Sequence, residues 1–386
     1  MQFEHAYDSW QQKRLTQEDA ACLLNVCSRT FRRYIDRYEE DGMEGLIDKR
    51  LGQVSQHRAP VDEVLSLEVL YKEHYNSWSI AHFHERYQEH HQGTRSYTWV
   101  KQRLQTAGLV KTGKRRGSHR QRRERKPLPG MMIHQDASTH AWILDQMWDL
   151  IVTMDDATSD IYSAFFVEEE GTWSSLQGVR ETLEAKGLFS SFYSDRGSHY
   201  WHTPQAGSKV DKANPTQFGR AMQELGIGMI AAYSPQARGR SERMFGTLQG
   251  RLPNELALHN ITDMESANRF LKEKFLPEFN ARFKVEASEK GSAFVPLLNA
   301  RLDDILCLKT ERVVNNDNCV SYRTKRLQIP KTSDRCHYAK AHVKVHEYHD
   351  GRVAIFHGPR LLGFYDREGH LEPNEISVES KQAANG

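Results

Sequence analysis

Asp136, Asp195 and Glu242 are the residues whose type and setting point to chemistry. Asp136 closes an apolar stretch in His134-Gln135-Asp136-Ala137-Ser138, and Asp195 closes another in Phe192-Tyr193-Ser194-Asp195-Arg196-Gly197-Ser198. Glu242 follows the turn Ser234-Pro235-Gln236-Ala237-Arg238-Gly239-Arg240-Ser241, on a segment that reads as a helix. If the strands ending at the two aspartates are neighbours, both side chains emerge at adjacent strand ends, and a helix packed across that edge brings in the glutamate. Such a cluster suits phosphodiester chemistry. The transition state carries extra negative charge on nonbridging oxygens, and two divalent ions roughly 3.5–4 Å apart clamp it. Hard ions such as Mg²⁺ take carboxylate oxygens and keep several waters. Two Mg²⁺ ions are therefore expected, with Mn²⁺ as a substitute. Asp136 would bridge them, Asp195 would hold one and Glu242 the other. Without metal, three like charges repel and leave the site loosely ordered.

Arg238, Arg240 and Arg243 surround Glu242 and suit phosphates beside the metals, with salt bridging to the acidic core as the alternative. Asp145, Asp149, Asp155, Asp156 and Asp160 compete as ligands, but Asp155-Asp156 falls where a hairpin should turn, and turn chemistry accounts for it. His199 and His140 read as structural or substrate-contacting side chains.

The elements needed to position these residues follow from periodicity. Met131–Asp136, Met147–Met154 and Ile161–Val167 read as strands, with short links that suggest antiparallel neighbours. A helix over Thr172–Lys186, a strand over Ser191–Ser194, a helix over Thr216–Leu225, a strand over Met229–Tyr233 and a helix from Pro235 to about Leu256 follow. This order is that of a ribonuclease-H-like α/β layer. Beyond Pro296, six short strands with a His349-Asp350-Gly351 hairpin turn suggest a small β-barrel, ending in a frayed acidic tail.

Ahead of this core, Leu15 to Tyr38 reads as a helix-turn-helix. Thr16 and Asp19 stand at capping-box positions, Asn25-Val26-Cys27 makes the turn and Ser28 caps the second helix. Phe31, Tyr34 and Ile35 face inward on that helix, while Arg29, Arg32, Arg33 and Arg37 lie where major-groove docking needs them. A second unit of winged-helix type, with helices Val61–Tyr75, Ile80–His90 and Ser96–Ala107, turns Tyr97, Val100 and Leu104 inward and Lys101 and Arg103 outward. Its histidines lack any zinc-ligand spacing. Nine basic residues follow within residues 111–126, including Lys114, Arg115, Arg116, Arg120, Arg122 and Arg123. Such a stripe favours salt-dependent binding to phosphates.

The 386-residue chain is thus expected to be a multidomain α+β protein. Its parts are a helix-turn-helix over 1–50, a second helical DNA-binding unit over 51–110, a basic linker over 111–130, the catalytic core over 131–297, and the barrel and tail over 298–386. The net charge of +2 conceals a basic arm (residues 1–126, net +6) and an acidic centre (residues 127–300, net −6), a division that suits a nucleic-acid handler. Five scattered cysteines argue against a disulfide framework, and no apolar run reaches membrane-spanning length. The polar N-terminus does not read as a signal peptide. A cytoplasmic, nucleoid-associated protein without a membrane partner is expected.

At the catalytic stretches the sequence resembles bacterial insertion-sequence transposases of the DDE, retroviral-integrase core superfamily, with the ISNCY-type group as the nearest likeness. The matching runs are H-Q-D-A-S-T-H-A-W, Y-S-D-R-G-S-H-Y and S-P-Q-A-R-G-R-S-E-R-M-F-G-T-L-Q, the last being the most specific. The resemblance implies Asp136, Asp195 and Glu242 as the metal-binding triad. It also implies binding to an element's terminal inverted repeats and to target double-stranded DNA, Mg²⁺-dependent 3′-end cleavage and strand transfer, and at least a homodimer on DNA. Ala137 departs from the Gly frequent after the first Asp. The 46 residues between Asp195 and Glu242 exceed the retroviral interval, with residues 201–215 as a surface insertion. A domesticated, non-catalytic DNA-binding regulator on the same fold is the alternative expectation.

Overall fold

The computed structural model describes residues 2–48, 58–113, 123–143, 146–205, 208–233, 239–298, 301–331 and 335–372. The chain divides into two compact units, one of residues 1–76 with 98–111 and the other of residues 77–97 with 112–386. The stretch expected as one module over 51–110 is therefore split, because its middle helix belongs to the second unit.

The first unit opens with α1 (Gln2–Gln11), an element that the sequence patterns above do not predict. Phe3, Ala6, Tyr7 and Trp10 recur at helical spacing and pack against Phe31 and Ile35, so the signal is present in the aromatic stripe. In α2 (Gln17–Leu23) the capping box forms as expected: Thr16 Oγ1 accepts from Asp19 N (3.2 Å), and Asp19 Oδ2 accepts from Thr16 N (3.2 Å). α3 (Ser28–Asp41) is preceded by Cys27 as its N-cap, in place of Ser28. A 3₁₀ turn over Gly42–Leu46 closes this part. α4 (Val61–His74) completes the unit together with α6 (Tyr97–Thr106), whereas α5 (Ile80–His90) lies in the second. Val100 and Leu104 are buried as expected, but Tyr97 is 42% exposed. No strand occurs in described residues 58–113, so the winged-helix expectation lacks its wing there.

The second unit is built on a five-stranded sheet with the order β3-β2-β1-β4-β5. Its strands are β1 (Ile133–Ile143), β2 (Gln146–Asp155), β3 (Ile161–Val167), β4 (Ser191–Ser194) and β5 (Gly228–Ala231). The first three are antiparallel, and β4 and β5 run parallel to β1. β1 does not stop at Asp136. Its pairing with β2 continues to Ile143, because Ser138 to Ile143 still has a partner strand to satisfy its backbone.

α7 (Thr172–Lys186) and α8 (Gln217–Glu224) cover one face of the sheet, sharing a core with Ile133 and Phe192. The helix expected from Pro235 to Leu256 is instead two, α9 (Gly239–Gln249) and α10 (Leu252–Leu258), with Pro253 in the first turn of the second, where its missing N–H is tolerated. These two cover the other face, joined by α11 (Met264–Phe270), a π turn over Leu271–Phe275 and α12 (Leu276–Phe283), none of which the sequence patterns predict. This run also seals the free edge of β3. Asn268 accepts from Phe166 N and donates to Phe166 O, and Asn280 does the same for Ile161. Two side-chain amides thereby replace a sixth strand.

One glycine is needed for close packing. A Cβ on Gly178 of α7 would fall 2.2 Å from Gln135 Nε2 and 2.7 Å from Thr153 Oγ1. Gln135 is buried there, donating to Thr153 Oγ1 and to Ser175 O while accepting from Tyr200 Oη. Gly178→Ala is expected to destabilise the fold by about 1–3 kcal/mol despite alanine's better helix propensity. A denaturant midpoint equal to or above that of the parent would refute the close-approach argument.

The C-terminal part contains α13 (Leu302–Ile305), then β6 (Leu308–Val313), β7 (Cys319–Tyr322), β8 (Lys325–Gln328), β9 (His342–Glu347), β10 (Val353–His357) and β11 (Arg360–Tyr365). Gly351, at φ 83°, makes the expected turn between β9 and β10. The expected barrel does not close among the described residues. A four-stranded sheet, β11-β10-β9-β6, stands beside a separate β7–β8 hairpin. Val320 and Leu327 of the hairpin share a core with Val345 and Ile355 of the sheet, so side-chain packing rather than a ladder joins them.

Candidate active site

β1 and β4 set the two aspartates. Their parallel ladder pairs Ile133 with Phe192 and His134 with Tyr193. The same offset, carried two residues further, matches Asp136 with Asp195. Paired residues of parallel strands project to one face, and the His134 and Tyr193 rings, 4.7 Å apart, mark which face that is. β4 ends at Ser194, so the pair lies where one strand stops beside a strand that continues. Both carboxylates are half-buried.

The backbone around Asp195 turns sharply, and Asp195 Oδ1 accepts from Gly197 N at 2.8 Å. A Cβ on Gly197 would meet His199 Cε1 at 2.9 Å and Asp195 Oδ1 at 3.1 Å, so His199 flanks the aspartate. His199 Nε2 lies 3.3 Å from Glu170 Oε1. Tyr200 Oη donates to Gln135 Oε1 (2.9 Å) and approaches Glu170 Oε1 (3.3 Å). Burial first, then the charge of Glu170, with further contributions from Asp195 and Asp136, raises the Tyr200 phenol well above its ordinary pKa. The phenol therefore stays protonated, and it senses both aspartates from one place. His140 stacks edge-on against Trp142 at 5.0 Å, a structural contact.

α9 carries Glu242 along the same face of β1. Phe245 and Leu248 bury against Trp142, and Gln249 Nε2 donates to Ser138 Oγ at 2.8 Å. Glu242 precedes Gln249 by seven residues, about two turns, and so shares its flank of the helix. At the other end, Arg240 pairs with Asp156, whose backbone N–H bonds Met132 O at the start of β1. The two ties run α9 alongside β1, and Glu242, between them in sequence, is exposed. Among the described residues no three His, Cys, Asp or Glu side chains are drawn together closely enough to hold a metal ion. The carboxylates line adjoining elements rather than forming a closed cage.

Sequence reasoning misses Asp156. Asp155 does perform turn chemistry, accepting from Ala157 N and Thr158 N. Asp156 does not. It is fully buried, and it accepts from His134 Nε2 (2.7 Å), Lys126 N (2.8 Å), Arg123 and Arg240. Against burial, which would raise it, the hydrogen bonds from His134 and Lys126 and the charge of Arg240 hold its carboxyl well below the usual range. Desolvation lowers the pKa of His134, and toward the Asp156 carboxylate its Nε2 is the donor. Nothing in the run Asp155-Asp156-Ala157 separates the two aspartates.

Of the expected DNA contacts, Arg29, Arg32 and Arg33 are exposed on α3 and Arg37 is half-buried. Lys101 is exposed, and the Arg103 guanidinium lies 5.6 Å over the Trp99 ring. Arg243 is exposed, with its Nε donating to Gly239 O. Arg240 is only 9% exposed at its side chain and paired with Asp156, so the salt-bridge alternative holds for it. Arg123 shares that carboxylate but remains 35% exposed. Lys114, Arg115, Arg116, Arg120, Arg122 and Arg238 lie outside the described residues, as does Asp145. Asp149 accepts from Thr139 and from Glu170 N, and Asp160 pairs with Lys284.

Residues 8–53 match a helix-turn-helix domain model. A transposase of Sinorhizobium fredii, y4bF, is 31% identical over 349 residues, covering 89% of this chain and 75% of that protein. The transposase for insertion sequence IS1202 of Streptococcus pneumoniae is 30% identical over 264 residues, covering 66% of this chain and 56% of its own length. Among solved structures, the simian T-cell lymphotropic virus intasome in complex with PP2A regulatory subunit B56 gamma superposes at 14% identity and a TM-score of 0.34, covering 72% of this chain and 92% of that one. No described helix is long and apolar enough to cross a membrane.

Proposed function

The chain belongs to the bacterial insertion-sequence transposases, and from that premise we propose that it binds the terminal inverted repeats of its element, cuts the 3′ ends and joins them to target DNA. The observation that carries this reading is the parallel β1–β4 ladder, whose offset runs on toward Asp136 and Asp195, with α9, the helix of Glu242, laid alongside β1.

The donor set fits divalent metal. Three carboxylates reach solvent from rigid elements, and hard ions prefer oxygen ligands. Asp136, Asp195 and Glu242 would hold the ions. When bound, a Mg²⁺ pair neutralises developing charge on the phosphate and lowers the pKa of the attacking water. In the first step water oxygen adds to phosphorus at the element end and the P–O3′ bond breaks, leaving a 3′-hydroxyl and a 5′-phosphate. In the second, that hydroxyl attacks a target phosphodiester. One P–O3′ bond forms as another breaks, and no covalent protein–DNA link is needed. Arg243 is exposed one residue beyond Glu242, where it can meet a phosphate.

Recognition falls to the N-terminal unit, with α3 presenting Arg29, Arg32 and Arg33 to the major groove. Replacing these three by Ala is expected to weaken binding to the terminal repeats. It should also flatten the salt dependence by about one unit of log–log slope for each guanidinium that no longer meets a phosphate. Fluorescence anisotropy across a salt series measures both, and an unchanged slope would remove α3 from the docking surface. Pairing two element ends calls for at least a dimer on DNA.

The test of the whole reading is an end-labelled DNA carrying the element's own terminal repeats, incubated with the full chain and Mg²⁺ or Mn²⁺. Nicked and joined products are expected. Binding without product under either ion would instead make the protein a DNA-binding regulator on a transposase fold.

A further inference from the structure

We infer that Asp156 is a positioning residue for catalysis, fixing Glu242 opposite the aspartates by tying the first turn of α9 to the start of β1. The inference rests on the strand-transfer reading above and adds to it a residue that touches neither DNA nor metal.

Asp156 collects donors from three separate segments. His134 lies two residues before Asp136, Arg240 lies two residues before Glu242, and Arg123 and Lys126 come from the end of the basic linker. Its backbone takes part as well: Asp156 N donates to Met132 O, and Asp156 O accepts from Arg125 at 2.9 Å. Whatever places Asp156 therefore places β1 near Asp136 and α9 near Glu242 together.

The arrangement is stiff for an electrostatic reason. A carboxylate with no exposure is costly unless every lone pair is used, and here both oxygens are engaged. Removing its charge leaves Arg240 nearly buried beside two other guanidiniums, Arg123 and Arg125, without the carboxylate it pairs with. Breaking one member of such a cluster repels the rest. The bond from Gln249 to Ser138 and the burial of Phe245 and Leu248 against Trp142 hold α9 on the far side of Glu242, whereas the Arg240 pair acts at its first turn. An exposed acidic side chain on a first turn that has lost one of its ties would sample more positions, and ligand geometry tolerates little of that.

Asp156→Asn preserves volume and removes the charge. Arg240→Met removes only the α9 side of the tie and leaves His134 and the linker bonded. Both variants, as full chains, are expected to bind terminal-repeat DNA with the parent's affinity. Both should lose about 10–100-fold in kcat at unchanged KM for DNA, the scale seen when a partner of a metal-ligating carboxylate is removed, and both should need more Mg²⁺ for half-maximal rate. Hydrogen exchange provides a readout independent of activity: amides of residues 239–249 should exchange faster in both variants, while those of β2 and β3 stay protected. If Asp156→Asn does not fold, Arg240→Met alone carries the test. Parent-like kcat and unchanged exchange in a folded variant would overturn the inference. If the parent makes no product, the strand-transfer reading has failed, and unchanged exchange over residues 239–249 would then overturn the tie on its own terms.

Discussion

Glu242→Gln is expected to lose cleavage and joining by at least about 100-fold, the upper end of what removal of a mere partner of a metal ligand costs, while binding DNA as the parent does. Glu242 is exposed on α9 and has no part in either hydrophobic layer, so its replacement should leave stability near that of the parent. Glutamine keeps the size and one carbonyl oxygen but not the charge that a hard divalent ion requires. Asp136→Asn and Asp195→Asn should behave alike, since the three carboxylates act as one unit and losses within a unit do not add. A double variant should therefore be no worse than a single one. Nicking and joining are scored separately on labelled terminal-repeat DNA, with binding followed by anisotropy. Retained joining in Glu242→Gln would remove this glutamate from the site and reopen the choice of the third ligand.

The second large effect concerns stability. α5 is held to the rest of the second unit by charged pairs. Glu85 meets Arg251 and Arg282, Glu89 meets Arg282, and Glu255 of α10 takes both His82 and Arg86 of α5. Glu255 and His82 are both buried. Glu255→Ala removes the buried carboxylate that both Arg86 and His82 bond and is expected to cost about 3–5 kcal/mol, read as a fall in the urea midpoint. A loss near zero would mean that α5 is held by other contacts.

The same group sets a pH dependence. Against burial, which would raise it, hydrogen bonds from His82 and Arg86 lower the Glu255 carboxyl from 4.5 to about 2. Because the folded-state value lies below the unfolded one, the stability it contributes is complete above about 4.5 and is lost as pH falls from there to about 2. Asp156 is displaced in the same direction and adds to the loss on acidification. Glu255→Gln should flatten this part of the stability curve. An unaltered acid slope in that variant would assign the acid sensitivity elsewhere.

Much of the core is legible in the sequence because its elements carry strong local signals. β3 at Ile161–Val167, α7 at Thr172–Lys186 and β4 at Ser191–Ser194 have the bounds that periodicity and turn residues indicate. The capping box at Thr16 is legible for the same reason, since both partners lie within one turn. Elements whose reason for existing is tertiary are not. α11 and α12 form where Asn268 and Asn280 seal an edge strand more than 100 residues away, and the β7–β8 hairpin packs beside a sheet whose strand pattern suggests closure.

The candidate site divides along the same line. Sequence alone determined that Asp136 and Asp195 sit on or just past apolar strands and that Glu242 opens a helix, because residue type and local pattern are written in a few neighbouring positions. It could not determine that β1 runs on past Asp136, that β1 and β4 pair in parallel at Ile133–Phe192 and His134–Tyr193, or that Asp156 gathers arginines from 33 and 84 residues away. The reason is physical. A turn aspartate and a buried ionic centre have the same local sequence, and only the desolvation and convergent charge of the packed chain make one of them the point that holds strand and helix together.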